Sequence, residues 1–171
     1  MNHGIVSDQW GMVIGLEVHV QLNTKTKMFS DTPWGYGESP NTQVCPFTLG
    51  CPGTLPTINE KAVEKGILIG LSLNCKINQE TEFARKHYFY PDLPKGYQIS
   101  QFDSPLCEDG YVSINDNKVS IVRAHLEEDA GKSIHTIEGD ALIDYNRAGA
   151  PLLEIVSGPD MRSSEDAVGY L

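Results

Sequence analysis

The 171-residue sequence is short of basic residues and has no long hydrophobic run. Its 13 lysines and arginines stand against 23 aspartates and glutamates, which gives a formal net charge of −10. Nucleic-acid-binding domains that grip phosphates usually carry a basic face, so this charge argues against phosphate binding by the whole surface and leaves only a local basic cleft. No apolar stretch approaches the ~20 residues of a membrane-spanning helix. The segment Met1–Gln9 lacks the layout of a signal peptide, and we expect a cytoplasmic protein without a membrane partner.

Cysteine is also scarce, with four residues at Cys45, Cys51, Cys75 and Cys107. Without a secretion signal, reduced thiols are favoured over a disulfide framework. Structural zinc sites usually pair their cysteines as Cys-x-x-Cys, whereas Cys45 and Cys51 are separated by five residues. Zinc is therefore doubtful, and a site built from this pair plus distant ligands is the alternative.

Hydrophobic periodicity predicts an α+β domain with a largely antiparallel sheet and few helices. In residues 12–22 every second residue from Met12 to Leu22 is apolar, whereas the other face carries Val13, Gly15, Glu17, His19 and Gln21, as in a strand with one buried face. Residues 31–57 are rich in proline and glycine and should be irregular. Asn59 can cap a helix that runs to about Leu73, with an apolar stripe of Ala62, Val63, Ile67 and Leu71. Further strands are predicted at Tyr111–Ile114, Val119–Glu128, Ser133–Ile137, Ala141–Tyr145 and Leu152–Val156, with turns at 115–117 and 138–140.

The last nine residues have the pattern of a helix start. Ser163 and Asp166 have the spacing of a capping box, yet the chain stops at Leu171. A helix cut within about two turns suggests a fragment of a longer polypeptide. We therefore expect a domain over residues 1–162 and the start of a truncated helical region over residues 163–171.

Ionisable side chains recur on the predicted strands. Glu17 and His19 are two apart and project from one face of the first strand. In the run 119–128, Glu128 extends the apolar row of Val122, Ala124 and Leu126, whereas Glu127 points the other way with Arg123 and His125. Glu154 is the single charge inside Pro-Leu-Leu-Glu-Ile-Val.

Buried carboxylates need a cation or hydrogen bonds to compensate for lost hydration. Three carboxylates and an imidazole on adjacent strands would make a cation site, and oxygen ligands favour Mg²⁺, although the imidazole of His19 also suits zinc. The alternative is structural: Glu17 and His19 line a solvated face, and Glu154 pairs with an arginine such as Arg147.

Two further groups suit an anionic ligand. Arg147 can clamp a phosphate or carboxylate bidentately, with a surface ion pair as the alternative. Ala130–Ser133 has the ending of a phosphate-binding loop, but Leu126 occupies the position of its first glycine; Lys132 alone can still reach a phosphate. The stretch 87–102 contains the aromatic residues Tyr88, Phe89, Tyr90 and Tyr97, with Lys86 just before it and Lys95 and Gln98 within it. These aromatic rings can stack a base or pack in a core.

Four segments together resemble a known family. VIGLEVHVQL, RKHYFYPDLPKGYQISQF, HLEEDAGKS and LIDYNRAGAPLLEIVS, spread over residues 13–157, closely resemble the B subunit of the glutamine-dependent aspartyl/glutamyl-tRNA amidotransferase. The resemblance implies the N-terminal catalytic, or cradle, domain of that subunit. It also implies a fold like the catalytic domain of glutamine synthetase.

The resemblance implies a ligase reaction with ATP and Mg²⁺ as cofactors. The side-chain carboxylate of misacylated Glu-tRNA(Gln) or Asp-tRNA(Asn) would be phosphorylated by ATP. Ammonia from a glutaminase A subunit would then displace the phosphate, with a small C subunit as a further partner and the tRNA acceptor end as the substrate region. The fragment alone is expected to be inactive.

Carried over by motif, the resemblance implies magnesium ligands at His19, Glu128 and Glu154, with Glu17 nearby, and these four are the predicted catalytic residues. Predicted cofactor-binding residues are Lys86, Tyr88, Lys95, Gln98, Lys132 and Arg147, and Tyr97 and Ser100 lie in the same motif. Some relatives carry a Cys-x-x-Cys zinc knuckle near Cys45, but Thr48 stands where the second cysteine would be.

Two other functions compete with this one. A metallohydrolase would use Glu17, His19, Glu128 and Glu154 around a zinc-bound water and would need no nucleotide. A docking module for the A subunit would need no metal at all.

Overall fold

The computed structural model describes residues 10–114 and 117–171. The first two residues of the predicted turn at 115–117 therefore lie outside the described part of the chain. The helices are α1 (Glu60–Ser72) and α2 (Ser164–Tyr170). The strands are β1 (Glu17–Gln21), β2 (Lys76–Ile77), β3 (Ala84–His87), β4 (Tyr97–Ser100), β5 (Cys107–Ile114), β6 (Asn117–Glu128), β7 (Lys132–His135), β8 (Ala141–Asp144) and β9 (Pro151–Ser157).

The central feature is a five-stranded sheet in the order β1-β9-β6-β5-β2, in which every neighbouring pair is antiparallel. Two separate hairpins, β3–β4 and β7–β8, complete the strands. The predicted α+β class with a largely antiparallel sheet is confirmed. The likeness to glutamine synthetase stays a prediction. Neither helix in the described residues is long and apolar enough to cross a membrane.

Helix α1 begins where its sequence predicts. The Asn59 side chain accepts hydrogen bonds from the backbone N–H groups of Lys61 and Ala62, which satisfies two of the free amides at the helix start. The buried face consists of Ala62, Gly66 and Gly70. The predicted place of Leu71 in this stripe is wrong, because small residues one turn apart bring the helix close to the sheet on another face and leave Leu71 57% exposed.

One face of the sheet packs against this helix. A Cβ atom added at Gly66 would lie 2.8 Å from Leu106 Cδ2 and 3.1 Å from Leu126 Cδ2, so the glycine is what permits the close approach. Leu126 and Leu153 are almost fully buried in the same cluster, joined by Ala124. Strands alternate their side chains between two faces, so the residues between these apolar positions project from the opposite face.

The first strand is shorter than predicted. Only Glu17–Gln21 pairs continuously with β9, while Ile14 makes an isolated bridge to Met161 and Met12 is 47% exposed. The alternation itself is confirmed, since Val18, Val20 and Leu22 pack into the core.

The end of the described chain forms the predicted helix start. The Ser163 side chain accepts from the Asp166 backbone, and the Asp166 carboxylate accepts from the Ser163 backbone N–H, a complete capping box. The assignment of residues 163–171 to a separate helical region stays a prediction.

Candidate active site

Three adjacent strands place ionisable residues in register on the face opposite α1. His19 on β1 lies directly across from Glu154 on β9, and Glu154 lies across from His125 on β6. Glu127 follows His125 two residues later and so projects from the same face. Side chains directly opposite one another on neighbouring strands have Cβ atoms only ~5 Å apart, so this register alone brings the four groups together.

A one-residue bulge in β6 determines which residues reach this face. Ile121 pairs with Ser157 and Arg123 pairs with Val156, so two steps along β6 match one step along β9. Ile121 before the bulge and Ala124 after it both lie in the core. The extra residue therefore switches the alternation, and Arg123, His125 and Glu127 project away from the core.

The resulting cluster is compact. His19 Nε2 lies 3.3 Å from Glu127 Oε1 and 3.2 Å from Glu154 Oε2. His125 Nε2 lies 3.4 Å from Glu154 Oε2 and 3.7 Å from Glu127 Oε2. The side chains of Glu127 and His125 are buried, whereas His19 is about half exposed at the rim.

The hydrogen bonds of this cluster shift its proton affinities. Hydrogen bonding to His125, aided by His19, lowers the pKa of Glu154 to about 2, although burial opposes the shift. Burial disfavours the charged form of His125, but hydrogen bonds to Glu127 and Glu154 outweigh it and raise the pKa of the imidazole. Glu154 is therefore ionised at neutral pH and available as an anionic ligand.

These donors fit a divalent cation. One ligand atom each from His19, Glu127 and Glu154 can be chosen so that all three lie within 4.8 Å of one another. One imidazole nitrogen and two carboxylate oxygens supply three protein ligands and leave the remaining positions of an octahedral ion for water or substrate oxygens. In the described residues, the imidazoles of His19 and His125 are the only basic groups within 4 Å of the two carboxylates, so a bound cation would offset the cost of burying them.

The structure does not place Glu128 in this cluster. Its side chain is 1% exposed on the core side of β6, where Lys95 Nζ lies 2.6 Å from both carboxylate oxygens. The backbone N–H of Ile99 also donates to Glu128 Oε1 at 3.1 Å. Of the four predicted ligands, the structure brings His19 and Glu154 together, puts Glu17 on the same strand face and separates Glu128 from them.

Strand phase predicts that Glu127 lies on the opposite face from Glu128, but Glu127 is not among the predicted ligands. The signal that would have found it is the shared phase of Glu127 with His125. This shared phase identifies Glu127 as a ligand only when it is known that β9 lies between β1 and β6, which brings Glu127 near His19.

The predicted cofactor-binding residues divide into two groups. Lys86 lines a cavity of about 380 Å³ beside the cluster, and Ser100 from β4 donates to Glu127 Oε2 at 3.3 Å. Gln98 is buried and donates to the Glu128 backbone carbonyl, while Lys95 is engaged with Glu128. Tyr88 is half-buried, and its phenol has a raised pKa because of burial.

Arg147 and Lys132 do not line this cavity, and neither do Tyr88, Lys95 and Gln98, so Lys86 is the one predicted cofactor-binding residue in its lining. Arg147 donates to the carbonyls of Ala130 and Gly131 and lies 3.5 Å from Asp129, so it holds the loop before β7. It does not pair with Glu154, as the structural alternative expected. Lys132 is exposed on the β7–β8 hairpin.

The cavity also contains residues that the sequence analysis did not select as binding residues. It is lined by Glu17, Ala84, Arg85, Lys86, Ser100, Gln101, Phe102, Arg123, His125, Glu127 and Glu154. The lining contains three carboxylates, those of Glu17, Glu127 and Glu154, and three cationic side chains, those of Arg85, Lys86 and Arg123. The carboxylates suit a divalent cation, and the arginine and lysine side chains suit an anionic ligand that this cation would also bind.

Comparisons with known proteins agree on one family. A family model for the GatB/GatE catalytic domain matches residues 12–171. The B subunit of the aspartyl/glutamyl-tRNA(Asn/Gln) amidotransferase of Thermodesulfovibrio yellowstonii is 57% identical over 167 residues, covering 95% of this chain and 35% of the relative. The B subunits of the same name from Francisella tularensis subsp. novicida and Campylobacter jejuni subsp. doylei are 55% and 58% identical, over 95% and 94% of this chain and 35% and 34% of theirs.

The chain spans about a third of the length of the curated relatives it matches. The match nevertheless includes every strand and helix described above, because it runs from residue 12 to residue 171. The chain therefore belongs to the GatB/GatE catalytic domain family.

Proposed function

We propose that this chain carries the ATP-dependent step of a tRNA-dependent amidotransferase. In this proposal, the side-chain carboxylate of misacylated Glu-tRNA(Gln) or Asp-tRNA(Asn) is phosphorylated by ATP, and ammonia then displaces the phosphate to give the amide. A glutaminase A subunit supplies the ammonia, and a small C subunit completes the assembly. The observation that carries the proposal is the cluster of His19, Glu127 and Glu154 beside a cavity with cationic lining.

The metal ligands that we propose differ by one residue from the prediction. His19, Glu127 and Glu154 would hold Mg²⁺, with Glu17 facing the same cavity, and Glu128 would instead hold Lys95. When bound, Mg²⁺ neutralises phosphate oxygens and positions them for in-line transfer. Phosphoryl transfer needs no protein nucleophile, which agrees with a cluster of carboxylates and imidazoles.

The other residues of the cluster orient these ligands. The side chain of His125 is 3% exposed and touches both carboxylates, so it fixes their positions relative to His19. Ser100 donates to the second oxygen of Glu127 and leaves Oε1 facing His19. Partners one layer beyond the ligands are expected to matter, because their loss typically costs ~10–100-fold in affinity or activity.

The decisive test substitutes Glu127 in the full-length chain assembled with its partner subunits. Glu127→Gln keeps the shape and removes one charge. We expect ATP-dependent phosphorylation of Glu-tRNA(Gln), measured by transfer from γ-labelled ATP, to fall on the order of 100-fold or more, because even the loss of residues beyond the ligands costs ~10–100-fold. Mn²⁺ binding measured by electron paramagnetic resonance should weaken in parallel.

The matched control is Glu80→Gln, the same change at an exposed turn position. It should transfer phosphate and bind Mn²⁺ like the wild type, and glutamine hydrolysis should remain chemically intact in both variants. Full transamidation by Glu127→Gln would contradict the proposed ligand set. Consumption of aminoacyl-tRNA without ATP would instead favour a zinc-dependent hydrolase, and absence of Mn²⁺ binding by the wild type would favour a docking module.

A further inference from the structure

Two buried polar atoms beside the cluster of His19, Glu127 and Glu154 have no hydrogen-bond partner within residues 10–114 and 117–171. They are Arg123 Nε and His125 Nδ1. Both residues line the cavity that contains Glu127 and Glu154. Buried polar groups in folded proteins are nearly always paired, so two orphaned atoms at one cavity indicate that a polar ligand completes their hydrogen bonding.

The positive charge of Arg123 lies against an aromatic ring instead of pairing with a carboxylate. The Arg123 guanidinium lies 4.9 Å from the centroid of the Phe102 ring. Among the described residues, Arg123 forms no ion pair within 4 Å, although Glu17 and Glu127 line the same cavity. A guanidinium stacked on a ring keeps its in-plane N–H groups free, which is the arrangement that suits a bidentate oxyanion.

Two neighbouring side chains extend this cationic part of the cavity. Arg85 and Lys86 of β3 also line it, and they too lie near aromatic rings, 5.8 Å from that of Tyr97 and 5.9 Å from that of Tyr88. In the described residues, none of these three cations lies within 4 Å of a carboxylate, although carboxylates line the same cavity. A single substrate carboxylate would need only one of them, whereas a polyphosphate carries several negative charges.

We propose that Arg123, supported by Phe102, binds a phosphate group of the nucleotide in this cavity, beside Glu127 and Glu154. This inference rests on the proposed function and adds to it the residue that recognises the anion. The bulge at Val122 is what makes it feasible, because without that extra residue Arg123 would project toward the core.

The test measures ATP binding by the full-length chain in complex with its partner subunits, by isothermal titration calorimetry with Mg²⁺ present. Arg123→Gln should weaken ATP binding about 10- to 100-fold, because a bidentate charge-assisted contact is lost. The KM for Glu-tRNA(Gln) should change less than about twofold, since the proposed contact is to the nucleotide alone. Arg123→Lys keeps the charge without the planar fork and should fall between the wild type and Arg123→Gln.

A matched control and a second variant keep the test decisive. Arg162→Gln makes the same change at an arginine that lines a different cavity, and it should bind ATP like the wild type. If Arg123→Gln fails to assemble, Phe102→Leu removes only the ring and should weaken ATP binding about two- to fivefold, with recovery in Phe102→Tyr.

The outcomes separate the inference from the proposed function. ATP binding by the wild type that is unchanged in Arg123→Gln, or in Phe102→Leu where Arg123→Gln does not assemble, would overturn the inference alone. A raised KM for Glu-tRNA(Gln) with unchanged ATP affinity would also overturn it, by assigning Arg123 to the substrate carboxylate. Absence of ATP binding by the wild-type complex would overturn both.

Discussion

Replacing Lys95 with methionine should destabilise the chain strongly, because it leaves the Glu128 carboxylate buried without its cation. The two side chains are 5% and 1% exposed, and Lys95 Nζ lies 2.6 Å from each Glu128 oxygen. Breaking a buried ion pair by removing one partner typically costs ~3–5 kcal/mol, since the remaining charge has lost its hydration as well as its partner.

The surroundings of the pair compensate Glu128 only in part, because the buried Lys27 ammonium acts on this carboxylate from beyond ion-pair distance. After Lys95→Met, the one remaining hydrogen bond to the Glu128 side chain in the described residues is the Ile99 N–H at 3.1 Å. The ring of Phe47, 4.6 Å from Lys95 Nζ, offers no replacement donor. For a chain of this size, ~3–5 kcal/mol corresponds to a fall of roughly 6–20 °C in melting temperature.

A double-mutant cycle separates the ion pair from simple loss of packing. Glu128→Gln alone leaves the Lys95 ammonium buried and should also destabilise the chain. The double variant Lys95→Met/Glu128→Gln removes both charges, so it should cost no more than either single change. Urea denaturation followed by circular dichroism gives the four free energies of unfolding.

The control uses an exposed pair with the same geometry. Lys61 Nζ also lies 2.6 Å from a carboxylate oxygen, that of Glu64, but both side chains are largely in solvent. Lys61→Met should leave the free energy of unfolding nearly unchanged, because water screens the pair. Strictly additive single changes at Lys95 and Glu128, or a Lys95→Met variant as stable as Lys61→Met, would refute the reasoning.

Three further predictions concern other parts of the fold. Gly66→Ala should destabilise the chain by ~1–3 kcal/mol, because its Cβ atom would lie 2.8 Å from Leu106 Cδ2; urea denaturation measures this change. Asn59→Ala should cost ~1 kcal/mol in the same assay through loss of the helix cap, while Asn59→Gly should cost only a few tenths. Burial opposes ionisation of the Cys45 thiol, but hydrogen bonds from threonine hydroxyls outweigh it and lower the pKa of the thiol to about 7. Its iodoacetamide alkylation, followed by peptide mass spectrometry with the exposed Cys51 as reference, should therefore rise about tenfold per pH unit below ~7 and level off above it; a rate that still climbs steeply at about pH 8–9 would contradict this.

Local patterns in the sequence were sufficient for most elements of the fold. The alternation in residues 12–22 predicted which side of β1 is buried, and the Asn59 cap predicted the start of α1. The hairpin β7–β8 also follows from its turn residues. These features depend on residues that are close in sequence, so a short window of the sequence is enough to predict them.

The site was harder to predict because it depends on the order of the strands. Glu127 and Glu128 are chemically identical neighbours, and the phase analysis correctly put them on opposite faces. Choosing between them requires knowing that β9 lies between β1 and β6, since only that order brings Glu127 near His19. The prediction of Glu128 rested on its apolar row and on the family resemblance, and that row is the core-facing side, where Lys95 compensates the charge of Glu128.

The bulge in β6 determines both which residues of this strand pack in the core and which of its charged residues face the cavity. A regular strand from Ile121 onward would direct Arg123 and Glu127 to the core face, where their charges would be expensive to bury. One extra residue at Val122 lets the same strand contribute Ile121 to the core and Arg123 and Glu127 to the cavity. The same strand thus supplies both the packing that holds the sheet against α1 and the charges that face the proposed ligand. The proposed site therefore depends on a bulge that no periodic pattern in the sequence predicts.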